Sequence, residues 1–396
     1  MFTFQLGHLQ ENLEAGAEKQ TAAPPRSLAV RSMPMARACL IIYNLSMLNT
    51  RVFLLLAAST LAACQSSAPL REDIAAHVQM VSAERLMTSV ETLCENGPRH
   101  PMPDADALGS IASQKAVTWV ADTLVAQGWP ETSITRERFE HTRRNGERVW
   151  VANLVLEATG NQTPNETLEL VAHWDSVAGA PGADDNATGV AALIEIARLM
   201  AVAGPAPRTV RFVFVAEEET GLNGSIHHLT QLKVGENLHG ALVFDMIGYA
   251  SSDDDSQTSP APWLPLMPST GDFVILLGNW TGSGLCDLYD ACAATYVPEL
   301  NITGFHFIGG ILPDADRSDH WFYWENGFGA AFLSDTANFR NPHYHKSTDQ
   351  PASLDPTFFR EVTQAALATV FEWAYHGGHG WTTAVETFAI TNPNLK

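Results

Sequence analysis

Residues 167–175 read TLELVAHWD, residues 182–189 read GADDNATG, and residues 209–219 read TVRFVFVAEEE. The first and third stretches open with short apolar runs, Thr167–Val171 and Thr209–Val215, of strand length. Between them, residues 187–202 carry a helical apolar pattern. A strand, a helix and a second strand in this order predict two parallel strands joined by a helical crossover.

The same alternation continues outward. Strands are predicted at Gly240–Phe244 and Phe273–Leu277, and helices at Ala107–Gln127 and Pro356–Tyr375. In another helix, from Ile74 to Cys94, apolar residues recur at Ile74, Val78, Val81, Leu86, Val90 and Leu93 before Asn96-Gly97-Pro98 stops the pattern. Ile134–His141, the Asn145-Gly146 pair and Val149–Leu156 read as a β-hairpin. The acidic, Ser- and Pro-rich stretch Ala250–Asp272 reads as a long surface loop. The fold class is therefore α/β, with a mixed, mostly parallel central sheet flanked by helices on both faces.

The chain has 396 residues, 45% hydrophobic and 17% charged, a globular composition. Its formal charge of −21 repels phosphate backbones, which argues against nucleic-acid binding. Arg51 precedes an apolar run ending Leu61-Ala62-Ala63-Cys64, which resembles a bacterial lipoprotein signal in which the cysteine is acylated. Met47 is then a natural start, with Met33 and Met35 as alternatives. The expected organisation is an upstream extension and signal over 1–63, a tether over 64–73, a catalytic domain over 74–380 and a tail over 381–396. The expected location is a periplasmic lipoprotein that meets the membrane only through the lipid on Cys64. Cys286 and Cys292 are open to two readings, a bridge formed in an oxidising compartment or a pair of buried thiols.

Acidic and histidine residues gather just after the apolar strands, where open α/β sheets place ligand sites. His173 and Asp175 follow the first strand, and Asp184 and Asp185 lead into the next helix. Glu217, Glu218 and Glu219 follow the second strand, and Asp245 the third. Late in the chain come His343, Tyr344, His345 and Asp349. Each alone has an ordinary explanation: a satisfied histidine, a helix cap, a solvated acidic face. Together they point to a metal site, because so many carboxylates beside apolar strands would be costly without a cation. Imidazole and carboxylate suit zinc, and two ions about 3.5–4 Å apart need a shared carboxylate.

The ordered blocks His173-Trp174-Asp175, Gly182 to Gly189, Glu218 to Ser225, Asp245 to Gly248, Ser318-Asp319-His320 and Tyr344-His345 resemble the M28 family of zinc peptidases, from about Gly97 to Asp349. The resemblance implies two zinc ions per chain, with His173 and Asp245 on one, Glu219 and His345 on the other, and Asp184 bridging. It implies Glu218 as general base, Asp175 as the carboxylate that fixes the His173 tautomer, and Tyr344 as an oxyanion donor. The spacing to Gly221-Leu222 sets this register, which leaves Glu217 in a place more often held by a small residue, with an orienting or structural part. Asp319 and His320 are expected to be supporting. Arg317 and Arg340 could meet a substrate carboxylate, though salt bridges are their more usual use. His343, His376 and His379 have no motif support. The implied activity is that of an exopeptidase, foremost an aminopeptidase acting on peptides through a metal-activated water. Glutaminyl-peptide cyclotransferase and carboxypeptidase activities on the same fold are the alternatives. A non-catalytic binding module is a third, disfavoured because every ligand position and the base are filled.

Overall fold

Successive strand residues face opposite sides of a sheet, so each apolar run feeds two cores. Leu168, Leu170, Ala172, Val210, Phe212, Phe214, Leu242 and Phe244 pack on one face. Val171, Val213, Val215, Ala241 and Val243 pack on the other. The computed structural model describes residues 67–378 except 96, 102–110, 234–235, 261–266 and 308. Cys64, the expected leader, His379 and the 381–396 tail lie outside the described residues.

The strands are β1 (Ile134–Thr142), β2 (Arg148–Ala158), β3 (Thr163–His173), β4 (Arg208–Val215), β5 (Asn237–Phe244), β6 (Phe273–Gly278), β7 (Asn301–Phe305) and β8 (Ala330–Ser334). They form one sheet in the order β1-β2-β4-β3-β5-β8-β6-β7. The central strands β4, β3, β5 and β8 run parallel, while β1–β2, β2–β4 and β6–β8 pair antiparallel. Helices α1 (Glu72–Val78), α2 (Ala83–Cys94), α3 (Ile111–Ala126), α4 (Thr188–Ala203), α6 (Ser283–Tyr296) and α8 (Pro356–His376) contribute to the larger core. Helices α5 (Asn223–Gln231) and α7 (His320–Glu325) cover the other face through Leu229 and Tyr323. Residues 183–203 are long and apolar enough to cross a membrane, but 78% of that window is buried, as suits a core helix.

The β-α-β unit, the hairpin and the last helix form where the sequence places them. One expectation fails: the helix read over Ile74–Cys94 is two helices, α1 and α2. The Ser82 hydroxyl accepts from the Arg85 amide at 3.2 Å, and the Ser82 amide donates to Glu195 Oε1 at 3.2 Å. A capped start anchored on α4 thus breaks the helix, while Val81 stays buried in the same core and preserves the apolar period. The start of the helix read from Ala107 lies outside the described residues. Elements β7, β8, α5, α6 and α7 carry no signal strong enough to have been read: β7 and β8 span five residues each and β7 buries only Phe305. Cys286 and Cys292 are free, buried thiols six residues apart on α6, so the bridge does not form.

Candidate metal centre

Six side chains converge at the carboxyl edge of the parallel strands. His173 ends β3, Glu218 and Glu219 follow β4, Asp245 follows β5, Asp185 lies in the turn before α4, and His345 follows β8. His173 Nε2 stands 3.4 Å from Asp185 Oδ1 and 3.4 Å from Asp245 Oδ1. His345 Nε2 stands 3.2 Å from Asp185 Oδ2 and 3.0 Å from Glu219 Oε2. Ligand atoms about 2.0–2.1 Å from a tetrahedral zinc lie roughly 3.3–3.4 Å from one another, so these separations match the edges of two coordination shells that share Asp185. The grouped donor atoms all fall within 4.8 Å of one another. His173 Nδ1 faces the Asp175 carbonyl oxygen at 3.2 Å. A carbonyl only accepts, so Nδ1 carries the proton and Nε2 offers its lone pair to the centre.

Electrostatics tell the same story. Burial opposes protonation of His173, yet Glu218, Asp175, Asp185 and Asp245 outweigh it and raise its pKa well above 6.5. Burial likewise opposes His345, and Asp185 and Glu219 lift it to about 10. Burial and Asp185 push Glu219 up to about 8. Burial also raises Asp185, but His173 and His345 override it and hold Asp185 below the usual carboxylate range. Burying this many acids together is costly without a cation, and the donor set of two imidazoles and three carboxylates fits zinc.

The shared carboxylate is not the expected one. Asp184 points away from both histidines: its Oδ1 accepts from the Gly248 amide at 2.9 Å and its Oδ2 from Asn341 Nδ2 at 2.6 Å. The turn here leaves helical geometry, with Asp185 at φ −105°, ψ 88° and Asn186 at φ −134°, ψ 46°. Asp349 fixes the turn by accepting from the Asp184 amide at 2.9 Å and the Asp185 amide at 3.2 Å. Gly182 starts it at φ +68°, where an added Cβ would lie 2.4 Å from the Asp185 carbonyl oxygen. Buried Arg99, which sequence reading passed over, donates to the carbonyls of Trp174 (2.7 Å), Pro181 (2.6 Å) and Gly182 (2.8 Å).

Glu218 sits among these groups. Burial raises its pKa well above 4.5 against the pull of His173, with Asp245, Glu219 and Asp319 adding to the rise. The Asp175 carboxylate lies 3.6 Å from His173 Nδ1 and accepts from the Glu218 and Glu219 amides at 3.3 and 3.4 Å. Asp175 therefore faces the His173 Nδ1 side with both its carbonyl and its carboxylate, and also holds the glutamate loop. Glu217 is structural: at φ 56° and fully buried, it takes Arg143 Nη2 at 2.7 Å and Nε at 3.2 Å, and the Thr220 hydroxyl. Arg143 also donates to the Pro101 carbonyl at 2.5 Å, so hairpin tip and glutamate loop are tied together.

A cavity of about 520 Å³ opens from the centre, lined by Glu218, Glu219, Asp185, Asp245, Tyr344 and His345 and by apolar Ile275, Leu277, Phe305 and Phe332. The Tyr344 ring stacks on His345 at 3.7 Å, and its hydroxyl accepts from Arg317 Nη2 at 3.0 Å. His320 stacks on Phe332 at 4.1 Å and lies 2.7 Å from the Ala315 carbonyl oxygen. Burial lowers its pKa to about 3, so it supports the wall as a neutral ring. Asp319 is buried and interacts electrostatically with His173 and Asp245. Arg340 is buried away from the cavity, donating to Gln257 Oε1 at 2.8 Å and lying over the Phe273 ring at 4.4 Å. His343 meets Thr348 Oγ1 at 2.9 Å and His376 meets Asp73 Oδ2 at 2.8 Å; neither joins the centre.

Known proteins resemble this chain in sequence and in fold. An uncharacterized protein, YfbL, of Escherichia coli (strain K12) is 31% identical over 213 residues, covering 50% of this chain and 65% of that one. Leucine aminopeptidase 1 of Ajellomyces capsulatus (strain H88) is 25% identical over 284 residues, covering 67% of this chain and 66% of that one. The chain thus spans just under two thirds of the length of these relatives. Among solved structures, a zinc aminopeptidase from Bacillus subtilis superposes with a TM-score of 0.58 at 15% identity, covering 75% of this chain and 96% of that one, which shows a shared fold. The sequence profile described as peptidase family M28 matches residues 153–370, more than half the chain and the whole span from β3 to His345, and the chain belongs to that family.

Proposed function

We propose that this protein is a two-zinc aminopeptidase that removes N-terminal residues from peptides, exported and held at a membrane by a lipid on Cys64. The observation that carries the reading is Asp185, with one oxygen toward His173 and Asp245 and the other toward His345 and Glu219, beside a buried Glu218. His173, Asp185 and Asp245 would hold one ion and His345, Asp185 and Glu219 the second. When bound, the ions supply Lewis acidity and make a water molecule acidic enough to react near neutral pH.

The chain's own groups do the rest. Glu218 takes a proton from the attacking water and returns it to the leaving amine. Asp175 holds Glu218 and Glu219 in place through their amides. Tyr344 accepts a hydrogen bond from Arg317, which leaves its own proton free to donate to an oxyanion; burial, which raises its phenol pKa, keeps that proton in place. The names of the relative and the structural neighbour support release from the amino end, and the acidic surroundings suit a free substrate amine.

The test is metal analysis of the purified protein together with hydrolysis of aminoacyl anilides, of peptides blocked at either end and of peptides beginning with glutamine. Release of N-terminal residues, lost on chelation, is expected. Glu218→Gln should lower kcat by at least about 100-fold with metal content retained. Pyroglutamate formation with one ion per chain, or cleavage only of amino-blocked peptides, would overturn the reading. Radiolabelled palmitate incorporated by the wild type and lost in Cys64→Ala would support the anchor.

A further inference from the structure

Two cations line the cavity that holds the acidic centre. Arg317 is oriented by neutral acceptors: Nη1 donates to Asn338 Oδ1 at 2.8 Å and Nη2 to the Tyr344 hydroxyl at 3.0 Å. Among the described residues its one ion pair is with Asp314 at 4.0 Å, Asp245 acts on it without an ion-pair contact, and 37% of the side chain is exposed. The guanidinium lies 5.6 Å from the Tyr344 ring centre, and that ring lies 3.7 Å from the His345 ring. At roughly 3.4 Å per extended residue, it is two or three residues from the ligands.

The second cation is Arg144. It lies in the β1–β2 turn, is exposed, lines the same cavity, and has no hydrogen bond or ion pair with any of the described residues. Its neighbour Arg143 is fixed on Glu217, and the turn is closed by the Arg143 amide on the Glu147 carbonyl at 2.8 Å. The turn that carries Arg144 is therefore locked to the glutamate loop. The cavity thus holds an acidic centre and two guanidinium groups, a charge layout that complements a short zwitterionic peptide.

We propose that Arg144 and Arg317 form a carboxylate-binding subsite that selects peptides with an anionic group one or two residues beyond the cleaved bond. The inference rests on the aminopeptidase reading. The carboxylate is either the C-terminus of a short peptide or an acidic side chain; both present the same planar acceptor to a guanidinium.

The experiment compares kcat/KM of the metal-loaded enzyme on three tripeptides with the same first residue: Leu-Ala-Ala as free acid, its C-terminal amide, and Leu-Glu-Ala amide. The wild type should favour at least one anionic peptide over the neutral amide by about tenfold. Preference for the free acid alone identifies the C-terminus, and preference for the glutamyl amide identifies a side chain. Arg144→Gln should bring that ratio towards one, Arg144→Lys should keep part of it, and Arg144→Glu should reverse it. A purely structural role for Arg144 would lower all three rates and leave their ratios unchanged. Equal rates on all three peptides with wild type, or a ratio unaffected by Arg144→Gln, would overturn the subsite and leave aminopeptidase activity standing. Failure to release leucine from any of them would overturn both.

Discussion

At the scale of single residues, the adjacent carboxylates Asp184 and Asp185 have opposite tasks. Asp185 faces two imidazoles, whereas Asp184 accepts from a main-chain amide and a side-chain amide on the far side of the turn. Asp185→Asn should therefore strip most of the metal and abolish activity. Asp184→Asn should keep the metal and cost about 1–3 kcal/mol in stability, because an amide nitrogen would replace an acceptor that a buried donor needs. Metal analysis and urea denaturation of both variants check this, and metal loss confined to Asp184→Asn would restore the other register. Strain collects here too. Glu217 and Leu222, which bracket Glu218 and Glu219, and Met246 and His345 all have positive φ between 56° and 60°. Such conformations cost of order 1–3 kcal/mol each and persist only where the surroundings enforce them, as the contacts of Arg143 and Asp175 do.

At the scale of elements, a buried charge cluster joins the strands to α5 and α7 behind the glutamate loop. His228 on α5 meets Glu137 of β1 at 3.0 Å and Glu169 of β3 at 3.1 Å. Glu169 also takes Arg211 of β4 at 2.5 Å and the Tyr323 hydroxyl of α7 at 2.7 Å. Burial opposes the His228 charge, but Glu169 and Glu137 prevail and raise its pKa to about 10 from 6.5. Burial opposes the Glu169 charge as well, and His228, Arg211 and Tyr323 lower its pKa to about 2 from 4.5. The His228 contribution is complete below about pH 6.5 and fades as pH climbs through about 10. That of Glu169 is complete above about pH 4.5 and fades as pH drops towards about 2. Denaturation at pH 6 and pH 9 should show the wild type losing stability between them. His228→Asn, about 3–5 kcal/mol less stable at pH 6, should show a shallower loss. Equal pH slopes in the two proteins would contradict the assignment.

At the scale of the whole molecule, binding that occurs only in the folded state stabilises that state by mass action. Residues from five separate parts of the chain must meet to form the centre, so the unfolded chain has no equivalent site. Chelation should lower the thermal midpoint, and readdition of zinc should restore it in a concentration-dependent way. A midpoint indifferent to chelator would argue against occupation of the centre. By itself the sequence determined the α/β class and the parallel strands, because apolar periodicity is local, and the ordered blocks that resemble the M28 family singled out His173, Glu218, Glu219, Asp245 and His345 from the acidic and histidine residues around them. The identity of the shared carboxylate was decided by the tertiary structure, since neighbouring aspartates look alike until Asp349, Asn341 and Gly248 from remote segments fix the turn. So were the break between α1 and α2, which depends on Glu195 in another helix, and the tasks of Glu217 and Arg99. Each of these rests on partners tens of residues away, and no local pattern encodes such a pairing.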